Sequence, residues 1–245
     1  MNILIVGATR GIGLGFVQHF LKQTEEHQIF ATYRSLGTAQ QLQDLQGQYP
    51  SQLNLLKWDI TQDDDFDQGL ETLRSKISQL DLVVYCVGLL HHEHLSPEKS
   101  VRQISREGLM EYFQVNSIGG ILLAKTLLPL LKHSQRNVLA FVSAKVGSIE
   151  DNRLGGWYGY RASKAALNMF IKTTAIEYSR KSPKTLVLSL HPGTTDTDLS
   201  KPFQRNVPPG KLFPVERTVS QLVAVMDQAN QSGQFFSWDG SIIPW

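Results

Sequence analysis

Seven short apolar runs, spread over the whole chain, limit its possible folds more than any other feature. They are NILIV (2–6), IFATY (29–33), LNLLKW (53–58), LVVYCV (82–87), VLAFVS (138–143), TLVLSL (185–190) and QFFSW (234–238). Each has strand length, and polar residues do not alternate within it. A strand wet on one face alternates; a strand covered on both faces does not. Between the runs, apolar residues recur at helical spacing over 12–22, 63–77, 109–132, 160–180 and 215–230. Strand and helix therefore take turns almost to the end. That order predicts an α/β fold in one domain, 1–245: a doubly wound, seven-stranded parallel sheet with helices on both faces.

Two stretches interrupt the rhythm. LLHHEHLSPEKS (89–100) follows the fourth run and HPGTTDTDLSKPFQRNVPPGKLFP (191–214) follows the sixth. The second holds five of the ten prolines. A loop of that length often serves as an active-site lid, so a substrate loop is expected at about 194–214.

The first run ends directly in GATRGIG (7–13), which opens the first helical stretch. Gly7, Gly11 and Gly13 let the chain turn sharply and let a phosphate approach the backbone. The helix that follows offers free N–H groups and the positive end of its dipole. At the first strand–helix junction of an alternating chain, this trio marks a Rossmann-type dinucleotide site. The spacing is G-x-x-x-G-x-G rather than G-x-G-x-x-G, with Thr9, Arg10 and Ile12 in the loop. The second run leads into Arg34 and Ser35, with no Asp or Glu nearby. An acid at that place suits the ribose 2′-hydroxyl of NAD, and a base suits the 2′-phosphate of NADP. Arg34, with Arg10 as a second phosphate contact, points to NADPH/NADP+ rather than NADH.

GGWYGYRASKAAL (155–167) carries the second signal. Residues four apart share a helix face, so Tyr160 meets Lys164 while Tyr158 meets only Ala162. A free tyrosine, with a pKa of about 10, is a poor base at neutral pH. A cation within about 4–6 Å favours the phenolate and lowers that value. The Y-x-x-x-K spacing is a common accident and gains its weight from the glycine loop upstream.

Taken in order, GATRGIG, WDI (58–60), the glycine of YCVG (85–88), VNSIG (115–119), a serine closing the fifth run, YRASK (160–164) and HPGTTDT (191–197) form a set. With it, essentially the whole chain resembles the classical short-chain dehydrogenase/reductases. VSAKVGS, DNRLGGWY, HPGTTDTDLS and WDGSIIPW resemble the C-factor-like and carbonyl-reductase-like members most. The resemblance implies that Tyr160 exchanges a proton with the substrate oxygen, while Lys164 holds the nicotinamide ribose and lowers the Tyr160 pKa. Asn116 would hold a relay water. Asp59 and Ile60 would contact the adenine. Val87 and Gly88 would let the fourth strand approach the cofactor. Pro192, Gly193, Thr194 and Thr197 would line its nicotinamide and diphosphate side. A homodimer or homotetramer through 109–132 and 160–180 is implied too.

The chain departs from the family pattern in three places. Val6 replaces a threonine that braces the glycine loop. Tyr85, Cys86 and Val87 replace the usual N-N-A before Gly88. The S-S-x-x-G motif reads Ser143, Ala144, Lys145, Val146, Gly147, with Ala144 at the position of the active hydroxyl. A one-residue shift along a strand turns a side chain to the other face, although a bulge or an early strand end re-aims it. Ser143 is the expected catalytic hydroxyl and Ser148 the alternative.

Other features take bland readings. A net charge of +2 with no dense basic run gives no case for nucleic acid or a membrane surface. The one cysteine, Cys86, excludes an internal disulfide framework and fits a reducing, cytoplasmic setting. HHEH (91–94) lacks the i, i+4 spacing of helical zinc motifs, so no metal is expected. DDDFD (63–67) suits a helix start. Trp157 and Tyr158 either flank a pocket entrance or cover the core, and IIPW at the end docks on a neighbour or is a plain tail. The expected activity is NADPH-dependent reduction of a small carbonyl compound, or its reverse from the alcohol. The rival is a nucleotide-binding signalling protein with little catalysis.

Overall fold

The computed structural model describes all residues, 1–245. Its strands are β1 (Asn2–Val6), β2 (Gln28–Tyr33), β3 (Leu53–Lys57), β4 (Leu82–Tyr85), β5 (Asn137–Val142), β6 (Thr185–His191), the short β7 (Thr194–Thr195) and β8 (Leu212–Phe213), and β9 (Gln234–Ser237). Its helices are α1 (Gly11–Leu21), α2 (Gln40–Gln48), α3 (Asp63–Arg74), α4 (Arg106–Phe113), α5 (Gly119–Leu131), α6 (Tyr158–Lys181) and α7 (Val215–Gln228). Seven strands form one parallel sheet in the order β3-β2-β1-β4-β5-β6-β9.

The absence of alternation in the apolar runs has a direct cause. Ile3, Ile5, Ala31, Val84, Ala140 and Leu188 face one side of the sheet and pack with Phe16, Leu42 and Leu222. Leu4, Val6, Phe30, Val83, Leu139 and Val187 face the other and pack with Phe66, Leu127 and Ile171. Both faces are dry, so both phases of each strand are apolar. The order reverses where β1 lies between β2 and β4, and in open α/β sheets the crevice at the carboxyl ends of such strands takes the ligand.

Three differences from the expected elements follow from packing. α2 gives little sequence signal because it buries only Leu42. The expected helix over 109–132 starts at Arg106 and is split by a π turn, Gln114–Ile118, between α4 and α5. The whole run Arg106–Leu131 is long and apolar enough to cross a membrane, but Leu123, Ala124, Leu127 and Leu131 are buried against the sheet. The 191–214 stretch is not free coil. β7 and β8 pair in parallel through Thr194–Leu212 and Thr195–Phe213, and a 3₁₀ turn spans Lys201–Asn206.

Candidate active site and nucleotide cradle

At the end of β1, Gly7 has φ +81° and Gly11 has φ +54°. A Cβ on Gly13 would lie 2.1 Å from the Gly7 carbonyl oxygen, and one on Gly7 would lie 2.9 Å from Val87 Cγ2. The loop is therefore a bare-backbone cradle pressed between α1 and the end of β4. The first turn of α1 contains no acidic residue, and Arg10 gives no side-chain cap. Its N–H groups remain open to an anion. Ile12 is half-buried behind them, and Thr197 approaches within 3.3 Å of where a Gly11 Cβ would be. These features fit a dinucleotide diphosphate.

The brace missing at Val6 comes from β2. Thr32 Oγ1 accepts the Gly7 N–H at 3.0 Å, and its carbonyl accepts the Ala8 N–H at 3.1 Å. Thr32 carried no local sequence signal for this. Arg34 and Ser35 lie just past β2, exposed, as is Arg10; Thr9 is half-buried. Neither arginine is in an ion pair. Asp59, past β3, accepts from Thr61 N at 3.0 Å and Thr61 Oγ1 at 2.7 Å, while its own N–H donates to Asp65 Oδ2 at 2.7 Å. Asp65 is buried in the first turn of α3, so the DDDFD segment starts a helix and also fixes the Asp59 turn. Ile60 is buried against Gly119.

Past β4 the altered YCVG segment is held by other means. The buried Tyr85 hydroxyl donates to the Val115 carbonyl at 3.1 Å. Asn116 is fully buried and grips Leu89 on both sides: Oδ1 accepts the Leu89 N–H at 2.7 Å, and Nδ2 donates to the Leu89 carbonyl at 2.8 Å. Nδ2 also donates to Ser163 Oγ at 3.0 Å. This residue sits in the π turn, a distortion that recurs at functional sites. Cys86 is half-buried, and burial pushes its thiol pKa up. In the HHEH segment, His91 Nε2 pairs with the Leu199 carbonyl at 3.2 Å and His92 Nε2 with Glu111 at 2.9 Å.

Helix α6 brings Tyr160 and Lys164 to one face, both buried. Lys164 Nζ lies 6.0 Å from the centre of the Tyr160 ring and donates to the Val142 carbonyl at 3.2 Å. A Cβ on Gly88 would be 3.5 Å from the same nitrogen. Burial pushes the Lys164 ammonium down to about 8. It pushes the Tyr160 phenol up. For Tyr160 the desolvation outweighs the lowering expected from Lys164, so the net direction is upward. The phenol is desolvated, and the ammonium is directed at a backbone carbonyl.

The serine expectation needs correction. Ser143 follows β5 directly and continues its pleat, so its hydroxyl points into the interior and donates to Asn168 Oδ1 at 2.8 Å. Ser189 Oγ donates to the same oxygen at 2.9 Å. Ser148 is buried too, and its hydroxyl accepts the Asp151 N–H at 3.1 Å. The residue that packs in the cluster around Tyr160 is Ala144, along with Leu90, Tyr112, Trp157, Leu199 and Phe203. Trp157 lies edge-on to Tyr160 at 6.1 Å and to Phe203 at 4.9 Å. It thus lines the site, while Tyr158 is exposed. Across the crevice, buried Pro192 and half-buried Gly193 (φ +72°) carry the chain from β6 into Thr194. Trp245 of the closing segment stacks on Phe235 at 5.6 Å.

Comparison with known proteins agrees with this layout. The family model described as short chain dehydrogenase matches residues 1–208. The chain is 32% identical over 218 residues to benzil reductase ((S)-benzoin forming) of Saccharomyces cerevisiae, covering 86% of this chain and 78% of the relative. It is 32% identical over 135 residues to C-signal of Myxococcus xanthus, covering 54% and 76%. The solved structure of an NADPH-bound carbonyl reductase from chicken fatty liver superposes with a TM-score of 0.87 at 28% identity, over 100% of this chain and 98% of that one.

Proposed function

The chain belongs to the short chain dehydrogenase family, and from that premise we propose that it is an NADPH-dependent reductase of apolar aldehydes or ketones, with Tyr160 as proton donor. One observation carries this reading. Lys164 Nζ lies near both Gly88, past the end of β4, and the ring of Tyr160, at 3.5 Å from a Gly88 Cβ and 6.0 Å from the ring centre. The nucleotide cradle and the acid thus meet at one buried cation.

Bound NADPH would supply the hydride. Gly7, Gly11 and Gly13 would admit its diphosphate to the N-terminus of α1, with Arg10 and Arg34 toward the 2′-phosphate and Asp59 and Ile60 toward the adenine. The protein's own part is position and proton. Tyr160 would donate its phenol proton to a carbonyl oxygen as negative charge develops there. Burial raises its pKa and so opposes that step, which makes a nearby cation necessary. The Lys164 ammonium lies where it stabilises the phenolate left behind. Asn116 holds Leu89 at the pocket wall. Leu90, Tyr112, Ala144, Trp157, Leu199 and Phe203 pack around Tyr160, an apolar wall that favours a neutral, apolar carbonyl compound. That the yeast relative is a benzil reductase and the chicken structure an NADPH-bound carbonyl reductase supports both choices.

The test is NADPH oxidation against a panel of aromatic diketones, aromatic aldehydes, quinones and charged oxo acids. The apolar members should turn over at about 1 per second or faster, with oxo acids far slower. A panel with no turnover above the enzyme-free rate would defeat the reading. We also propose self-association through the 109–132 helical run and α6, where Ile118 of the π turn and Met169 and Ile176 of α6 are exposed; light scattering decides it.

A further inference from the structure

Glu98 belongs to no part of the nucleotide cradle, yet it is only 6% exposed. It has no Lys or Arg partner. Its carboxylate accepts the Gly159 N–H through both oxygens, at 3.2 and 3.1 Å. Its backbone carbonyl accepts the Trp157 N–H. Both contacts fall on the three residues that lead into Tyr160.

That segment is poorly suited to hold its own shape. Gly155, Gly156 and Trp157 have φ of +63°, +65° and +53°, and Trp157 is the one non-glycine residue in the chain with a positive φ. Such a conformation persists only where the surroundings enforce it. Helix α6 begins at Tyr158 with no side-chain cap from Trp157 and no acid in its first turn. The carboxylate of Glu98, reached from 61 residues away, fills the capping role. A buried carboxylate without a counter-cation is costly to keep. A Cβ on Gly159 would lie 2.4 Å from Tyr112 Cδ2 and 2.9 Å from Glu98 Oε1. Gly159 is therefore clamped between the two, and Tyr112 in turn packs edge-on to Tyr160 at 6.3 Å.

We propose that Glu98 is a positioning residue, which grips the N-terminus of α6 and so holds the Tyr160 ring between Tyr112 and Trp157. This rests on the reading of Tyr160 as the proton donor. Glu98→Gln retains an acceptor oxygen for Gly159, whereas Glu98→Ala removes it. Turnover, NADPH affinity and the ¹³C NMR signal of the Tyr160 ring are measured for both, with that signal identified by its absence in Tyr160→Phe. Glu98→Ala should lose about ten- to a hundredfold in kcat, as a misplaced acid does, with NADPH affinity retained and the Tyr160 signal displaced. Glu98→Gln should restore both kcat and the signal. An unmoved Tyr160 signal in Glu98→Ala overturns the proposal. So does a Gln variant as impaired as Ala, or a kcat loss matched by lost NADPH affinity. If the wild-type protein turns over none of the carbonyl panel, the NMR comparison still decides positioning, and the failure belongs to the proton-donor reading. Should Glu98→Ala not fold, Glu98→Asp replaces it; one methylene shorter, it should lose about threefold or more in kcat and shift the same signal.

Discussion

The hydroxyl of Ser143 donates to Asn168 Oδ1 at 2.8 Å, so it is committed to the interior of α6 and β6 rather than to the cluster around Tyr160. The neighbouring residue that does face that cluster, Ala144, has no hydroxyl. Ser143→Ala should therefore act on stability. Losing one buried hydrogen bond costs about 1 kcal/mol, seen as a melting temperature lower by about 2–4 °C in a chain of this size, with kcat nearly unchanged. Ala144→Ser should instead raise kcat, by up to about tenfold, by adding a donor near the developing oxyanion. A dead Ser143→Ala variant with an unaltered melting curve would restore Ser143 to the mechanism.

Tyr160→Phe removes the phenol but keeps the ring that packs with Tyr112 and Trp157. Turnover should fall by about 10²–10⁴-fold, the usual worth of a positioned acid. NADPH titration should give an affinity close to wild type, because the cradle at Gly7–Gly13 is untouched. Retained turnover would remove Tyr160 from the chemistry.

The sheet was legible because burial on both faces leaves a period-free apolar signature, as in β1, β5 and β6. α2 was not, since a helix that buries only Leu42 has no apolar stripe to read. Tyr160, Lys164 and Asn116 were legible as residue types within motifs, but the direction of a side chain depends on strand phase. One residue separates Ser143 from Ala144, and that single step decides which of them meets Tyr160. Thr32 and Glu98 were missed for a different reason. Each acts on a backbone N–H contributed by a different segment, 61 residues distant for Glu98 and Gly159, and a local pattern does not record such a partner.

Cofactor choice should rest on Arg34. It is exposed just past β2, in no ion pair, and free to meet a 2′-phosphate. Arg34→Glu replaces attraction with repulsion, which at a charge-assisted contact shifts binding by about 1.5–3 kcal/mol or more. The expected result is a fall of at least about tenfold in kcat/KM for NADPH, with NADH equal or improved. Steady-state kinetics with both cofactors checks it, and an unchanged NADPH to NADH ratio would move the 2′-phosphate away from Arg34.

Lys164 gives the chain a stability that rises with pH in an alkaline window. Burial lowers its pKa from 10.5 to about 8. Between those values the unfolded lysine still binds a proton that the folded one has released. The unfolded state then holds more protons, so unfolding free energy climbs as pH increases. Below pH 8 both states are protonated and the full cost of the buried ammonium remains, roughly 3 kcal/mol from the size of the shift. Lys164→Met removes that cost, less about 1 kcal/mol for the lost bond to the Val142 carbonyl. At pH 7 the variant should melt several degrees above wild type, at about 2–4 °C per kcal/mol, and it should be inactive. The gap should narrow from pH 8 to 10. Other lysines and tyrosines titrate in the same window, so the informative quantity is the difference between the two melting curves at each pH. A gap that stays constant, or a variant less stable at pH 7, would mean that the ammonium of Lys164 is not held at a cost in the folded protein.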